Sequence, residues 1–238
     1  MQAAGRGDRR SAILALAFAV AFLVLFLAPP FLPYRFDPYP LINWADVVDL
    51  LTPLVLLPLY WLLLADAEVQ LTPAWVILFV VLLAAWADAH GVHLAANAIG
   101  HLMRQQPGPA RDLTEFWDEK FGHYYWHGAA LGLSALILLR HARAPVPTRR
   151  RSWAGVVAAV IYALALFLIG DEGGTAILMV PFAVVVTLAC WPLRQRLLAS
   201  PVVAMFALGN ALALLLFAGW FVYWGGRLPQ FSDLGLIK

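Results

Sequence analysis

Seven apolar runs divide the chain, each close to the roughly 17–25 residues that a helix needs to cross a bilayer. They cover Ser11 to about Leu27, Val47–Leu64, Ala74 to about Gly100, Phe121–Leu139, Trp153–Gly170, Thr175–Leu193 and Val202–Trp224. Pro29-Pro30 stops the first, and Asp49, Pro53 and Pro58 interrupt the second. The third is apolar only as far as Trp86 and then carries polar residues, whereas the last is uncharged throughout. The runs are continuous rather than alternating, which excludes barrel strands. They predict an all-α integral membrane bundle, a single seven-helix transmembrane domain over residues 1–238, with short connections and no internal repeat. Arg6, Arg9 and Arg10 give the first run the flank of a secretory signal. Its length and the poor cleavage site Ala28-Pro29-Pro30 predict a retained helix instead.

Composition agrees. Apolar residues make up 63% and charged residues 13%, against roughly 45–50% and about 25% in soluble proteins. A net charge of +2 gives no electrostatic footprint for nucleic acid. The single cysteine, Cys190, excludes an internal disulfide framework and a multi-thiolate metal site.

Basic residues set the expected orientation. With the N-terminus inside, ten lie inside (Arg6, Arg9, Arg10, Arg140, Arg143, Arg149, Arg150, Arg151, Arg194 and Arg196) and six outside. Seven spans then put the C-terminus outside, in a membrane expected to be a bacterial cytoplasmic (inner) membrane. The run Arg149-Arg150-Arg151 is read as a topology signal rather than a lipid-headgroup site.

This topology places 11 of 14 carboxylates and five of six histidines at the outer side or in the outer half of a span. Ionisable groups inside a membrane are costly and mark functional sites by default. At about 100° per residue, His90, His93, Asn97 and His101 fall within an arc of roughly 80° on the third span. Glu115, Glu119, His123 and His127 form a similar stripe entering the fourth, while Asp88 and Asp118 point away. The connection from Met103 to Asp112 is short and polar, so the two helices are antiparallel neighbours. Residues at equal depth then have a nearly constant index sum. His101 with Glu119, Asn97 with His123 and His93 with His127 all give 220, which centres the turn on residue 110.

Imidazoles and carboxylates on facing helices are how bundles hold metal ions. His90, His93, His101, Glu119, His123 and His127 are the candidate ligands, with Asn97 beside them. His90, a turn deeper, is either a ligand or a partner of one. The donor set suits one or two ions of zinc, iron or copper without choosing among them. Glu119, or Asp49 from the second span, is the candidate general base. Haem, a proton or ion pathway and a plain interhelical hydrogen-bond network are the competing readings. Asp46 is read as a favourable acid at a helix N-terminus, Asp171-Glu172-Gly173-Gly174 as a solvated turn whose glycines would also let it fold back over a site, and Asn210 as a packing group. Tyr124, Tyr125 and Trp126 are read as interfacial aromatics.

Seven spans and the segment Gly122–Gly128 (GHYYWHG) resemble the alkaline ceramidase and adiponectin-receptor group of membrane hydrolases, with its H-x-x-x-H ligand pair. That group carries the pair on its last helix, here it is on the fourth, and the group's Ser and His pattern is missing from the second span. The resemblance implies hydrolysis but not membership.

The leading expectation is a membrane metalloenzyme, a hydrolase or a di-metal oxidoreductase, acting on a lipid or another hydrophobic substrate from the outer leaflet. Membrane lipids and a hydrophobic small molecule are the expected partners. The alternatives are a transporter of metal ions or protons, and a haem- or metal-holding subunit of a membrane complex. Inward of His90 and His127 the polar trail is thin, which counts against transport.

Overall fold

Proline and glycine punctuation sets where the apolar runs start and stop as helices. A computed structural model describes residues 2–236 apart from Pro33, Tyr34, Pro40, Arg104, residues 146–152 and Leu198. Arg104, Arg149, Arg150, Arg151 and Lys238, which entered the orientation argument, lie outside the described residues. All regular structure among the described residues is helical. Helix α1 is Gln2–Leu27, ended by a 3₁₀ turn at Pro29–Phe31. Helix α2 is Trp44–Asp66 and stays helical through Pro53 and Pro58. Helix α3 is Pro73–Met103 and the short α4 is Pro109–Glu115. A π-helical turn, Phe116–Gly122, leads without a break into α5, His123–Arg143. Helices α6 and α7 are Trp153–Glu172 and Ala176–Cys190, and α8 is Pro201–Tyr223 with a π-helical turn at Ala204–Leu208.

Among the described residues, six helices are long and apolar enough to cross a membrane: α1, α2, α3, α6, α7 with its 3₁₀ extension, and α8. Helix α5, the expected fourth span, is not one of them. Its 21 residues give a length of about 30 Å at 1.5 Å per residue. Its composition is what sets it apart: His123, Tyr124, Tyr125 and His127 open it, and Arg140, His141 and Arg143 close it. Large apolar side chains of the other helices face outward, as at Leu54, Ile77, Ile177 and Val222, each at least 63% exposed. A ring of apolar side chains on that scale suits hydrocarbon rather than water.

Helix α3 packs on α5, and α6 packs on α1 and α8. Phe18, Tyr60, Tyr162 and Phe206 form the aromatic centre, with Phe18 and Tyr60 ring centroids 4.7 Å apart and Tyr162 and Phe206 5.2 Å apart. One end of the bundle is basic. Arg140, 1% exposed, closes the C-terminus of α2: its Nε donates to the Leu64 carbonyl at 2.9 Å and its terminal nitrogens to Gln70, Ala67 and Val69. These are carbonyls of a helix end and the turn after it, where a cation also meets the negative end of the helix dipole. His141 donates from Nε2 to Leu63 at 2.9 Å, and Asp66 pairs with Arg10 at 3.2 Å and accepts from Ser11. Arg196 donates to the Ala144 carbonyl at 2.5 Å. The opposite end collects the other five histidines.

Candidate metal centre

The reversal between α3 and α5 builds the site. It occupies residues 104–108, and Gly122 brings the two strands of the reversal together: a Cβ there would lie 3.1 Å from His93 Cβ. The His93 and His123 rings consequently meet at 4.5 Å. These residues have an index sum of 216 rather than 220, so the turn is centred on residue 108, two positions earlier than the sequence predicts. Each residue of displacement in the turn changes the sum by two, and the facing register moves by one helical turn.

Asp118 corrects the expectation more sharply. A uniform α-helical phase points it away from His123. The intervening segment is instead π-helical, and an i→i+5 turn holds more residues than an i→i+4 turn. Asp118, five positions before His123, comes round nearly beneath it. Its Oδ1 lies 2.6 Å from His93 Nδ1, yet neither buried atom has an in-line hydrogen-bond partner. They form a direct contact between a carboxylate and an imidazole. One ligand atom from each of His93, Asp118 and His123 lies within 4.8 Å of the others. Metal bonds of about 2.0–2.2 Å separate neighbouring ligand atoms by roughly 3–4 Å, so a small contraction of this triad accommodates an ion. The arrangement is compatible with a metal and does not identify one.

The other candidates sit at graded distances from this triad. Glu119 Oε2 is 3.3 Å from His123 Nδ1, and that contact is the main cause holding its carboxyl below the usual range. His127 stacks parallel to His123 at 5.5 Å and is hydrogen-bonded from Nδ1 to Thr175 Oγ1 at 2.7 Å. His90 lies between Trp86, at 4.9 Å, and Trp126, at 4.6 Å. Trp126 is therefore no interfacial residue: it is buried and also meets His93 at 5.3 Å and His127 at 5.3 Å. His101 lines a second cavity together with Asn97, Asp118 and Glu119.

Two cavities meet here. One, of about 360 Å³, is lined by His93, Asp118, Glu119, His123, His127, Asn97, Asp49 and Glu172, with apolar walls from α1 and α6 and Phe231. The other, of about 450 Å³, is polar and includes His101, Arg111, Thr114, Glu115, Lys120 and Gln230. Asn97, Asp118 and Glu119 belong to both.

The turn between α6 and α7 is not simply solvated. Asp171 is 2% exposed, and Gly173 presses on His127, where a Cβ would sit 2.7 Å from Cε1. Tyr124 ties α5 to the same turn by donating to the Gly174 carbonyl at 3.2 Å. Glu172 lines the cavity and accepts from Ser232 N at 3.1 Å, which draws the C-terminal segment over it. Asp46 stays outside, accepting from Asn43 N at 2.9 Å as the cap of its own helix. Asn210 donates to the Phe206 carbonyl at 2.7 Å within its own helix, which fits a packing role. Sequence reasoning missed Asp118 and Thr175. The Asp-Glu-Gly-Gly turn takes the alternative course, since its glycines let it fold back over the site.

Comparison with family models, with curated proteins and with solved structures finds no match to this chain.

Proposed function

We propose that the protein is an integral membrane metalloenzyme that holds a transition-metal ion between α3 and α5 and acts on a hydrophobic substrate. The carrying observation is the cluster of His93, Asp118 and His123, each offering a ligand atom within 4.8 Å of the others. Two imidazoles and a carboxylate at this spacing, on the wall of a cavity, are a donor set that a transition-metal ion takes. His93, Asp118 and His123 are the ligands, and His127 and Glu119 are within reach of the same cavity. His90 supports the site through Trp126, and His101 lines the adjoining cavity.

Zinc suits this mixed nitrogen and oxygen set and favours hydrolysis, while iron or copper favours the oxidative version. A metal here supplies Lewis acidity and an acidified water against an ester, amide or phosphoryl group. Glu119 is the base: its interaction with His123 keeps the carboxyl ionised at neutral pH, ready to accept a proton. Asp49 lines the same cavity from α2 and holds a second carboxylate for the task. The transport alternative lacks a continuing path among the described residues. Beneath His127 the space narrows to about 10 Å³ between Phe22, Ala130, Tyr162 and Leu166.

In this reading α5 is the seventh spanning helix, with its polar ends at the two faces and its middle shielded by protein. Arg10, Arg140 and Arg196 gather at one end, which supports an inside N-terminus by the positive-inside rule. The metal site then faces the outer side of a bacterial inner membrane, and the C-terminus lies outside. Elemental analysis of purified protein, with the His93→Ala/His123→Ala double variant as control, tests the proposal. Stoichiometric metal in the parent and none in the folded variant is the expected result. Full metal in the variant would overturn the assignment.

A further inference from the structure

The cavity beside the triad combines an apolar lining with an acidic one. Leu23, Phe26, Leu168, Ile169 and Phe231 supply the first. Asp49, Asp118, Glu119 and Glu172 supply the second, and among the described residues no lysine or arginine joins them. That the cavity receives a ligand rests on a separate observation. His127, 3% exposed, has one ring nitrogen on Thr175 and keeps the other for this cavity. Resting on the metalloenzyme reading, we infer that the substrate is a single-chain amphiphile with a cationic ammonium headgroup. Its chain lies against α1 and α6 and its nitrogen among the carboxylates. Asp49 recognises the charge and leaves the base to Glu119.

Size supports a single chain, since about 360 Å³ is near the lower limit of the roughly 300–1,000 Å³ of small-molecule pockets. Charge decides the headgroup. Asp118 touches His93 and Glu119 touches His123. Protonation of both imidazoles, or a divalent ion in place of those two protons, cancels these two carboxylates. Asp49 and Glu172 are left over in either state, so the sign of the cavity does not depend on a bound metal. Glu172 accepts from Ser232 N, a neutral donor that leaves its charge unbalanced. Asp49 has no hydrogen bond among the described residues, although it belongs to a candidate span and precedes Leu50 and Leu51. An ionisable group so placed is costly and marks a functional site. The adjoining cavity brings no excess of positive charge, because Arg111 and Lys120 share it with Glu115, Asp118 and Glu119. An anionic headgroup is therefore repelled. An ammonium is attracted by the carboxylates and by the rings of Phe26, Trp126 and Phe231 in the same lining, since aromatic faces attract cations.

Binding to protein held in a non-ionic amphipol, with its metal content measured, tests this. Decyltrimethylammonium is the probe, because its quaternary nitrogen has no lone pair for a metal and reports charge alone. It should bind saturably, about tenfold or more tightly than decyl maltoside, decyl sulfate or tetramethylammonium. Asp49→Asn keeps the shape of the side chain and should weaken the probe about tenfold or more. Decyl maltoside should change less than about twofold in that variant, because it carries no charge, and this also reports an intact fold. Glu172→Gln serves if Asp49→Asn does not fold. Leu168→Trp, which fills the apolar lining, should weaken both decyl ligands in folded protein. Equal affinity for decyltrimethylammonium and decyl sulfate, or indifference of the probe to both carboxylate variants, overturns the inference. Protein purified without metal that keeps the selectivity would overturn the metalloenzyme reading and leave the ammonium site standing. Metal-loaded protein without the selectivity would do the reverse.

Discussion

Thr175 Oγ1 holds His127 Nδ1 at 2.7 Å, and this one bond decides which imidazole nitrogen remains for the cavity. The partners are 48 residues apart, joined only because Gly173 lets the α6–α7 turn press on the ring. Thr175 is fully buried, so its removal gives the ring no water in exchange. Thr175→Val should leave a buried ring nitrogen unpaired, at a cost of about 1–3 kcal/mol, and should weaken metal binding. Thr175→Ser keeps the hydroxyl and should restore both. Thermal unfolding and metal titration check this together; a valine variant that matches the parent in both would remove His127 from the site.

Asp118 provides a second test, because helical phase and the observed geometry disagree about it. Loss of a metal-site carboxylate outweighs loss of a supporting group, which typically costs 10–100-fold in affinity. Asp118→Asn should therefore lower metal affinity by at least tenfold. Asp112→Asn, on exposed α4, should leave it unchanged. Competition with a chelator of known affinity measures both, and equal affinities for the two variants would exclude Asp118 as a ligand.

The same residue shows where the sequence is legible and where it is not. Apolar runs reveal the helices because hydropathy is a bulk property that survives small errors of phase. The stripes of α3 and α5 are legible because His93 lies well inside α3 and His123 and His127 both lie in the regular helix that follows the π-helical turn. Asp118 is not, because a π-helical turn adds a residue to the repeat without a signature in the residue types Phe116–Gly122. The one-turn error in facing register comes from the position of the reversal, which Gly108-Pro109 fixes by starting α4. Trp126 looked interfacial from its neighbours Tyr124 and Tyr125, both of which are exposed. Only packing reveals that the third aromatic of that run faces three histidines.

Arg140 gives a prediction at the opposite end. Its guanidinium meets four carbonyls at the close of α2 and the turn after it. A planar fork reaches several acceptors at once, which a lysine ammonium cannot reproduce. Arg140→Met should orphan these carbonyls and lower stability by several kcal/mol, at about 1.5–3 kcal/mol for a charged hydrogen bond. Arg140→Lys should recover only part. Metal affinity in the folded fraction should be unaltered, since the histidines lie at the other end. Unfolding in detergent with metal analysis checks the pair, and an unaltered midpoint in Arg140→Met would show the contacts to be dispensable.

Acid should remove the metal before it affects the nearby carboxylate. Histidine ligands bind metal only when neutral, so protons compete, and affinity should fall as pH drops through the unperturbed histidine value of about 6.5. Glu119 has the opposite sign of dependence. Its carboxyl is depressed, chiefly by His123, so its contribution is present above the ordinary carboxylate range and disappears only as pH falls through its lower folded value. Between about pH 8 and about pH 5.5, the limits of a histidine titration, Glu119 stays ionised. A metal that binds the folded state alone stabilises it by roughly 2.7 kcal/mol at a hundredfold excess over its dissociation constant. The thermal midpoint of metal-loaded protein should therefore fall across this interval, and that of chelated protein should fall much less. A hydrogen-bond network without metal requires the two samples to respond alike. If the metal is shown to be removed and the midpoint at the higher pH does not move, the stabilising centre at His93, Asp118 and His123 is wrong.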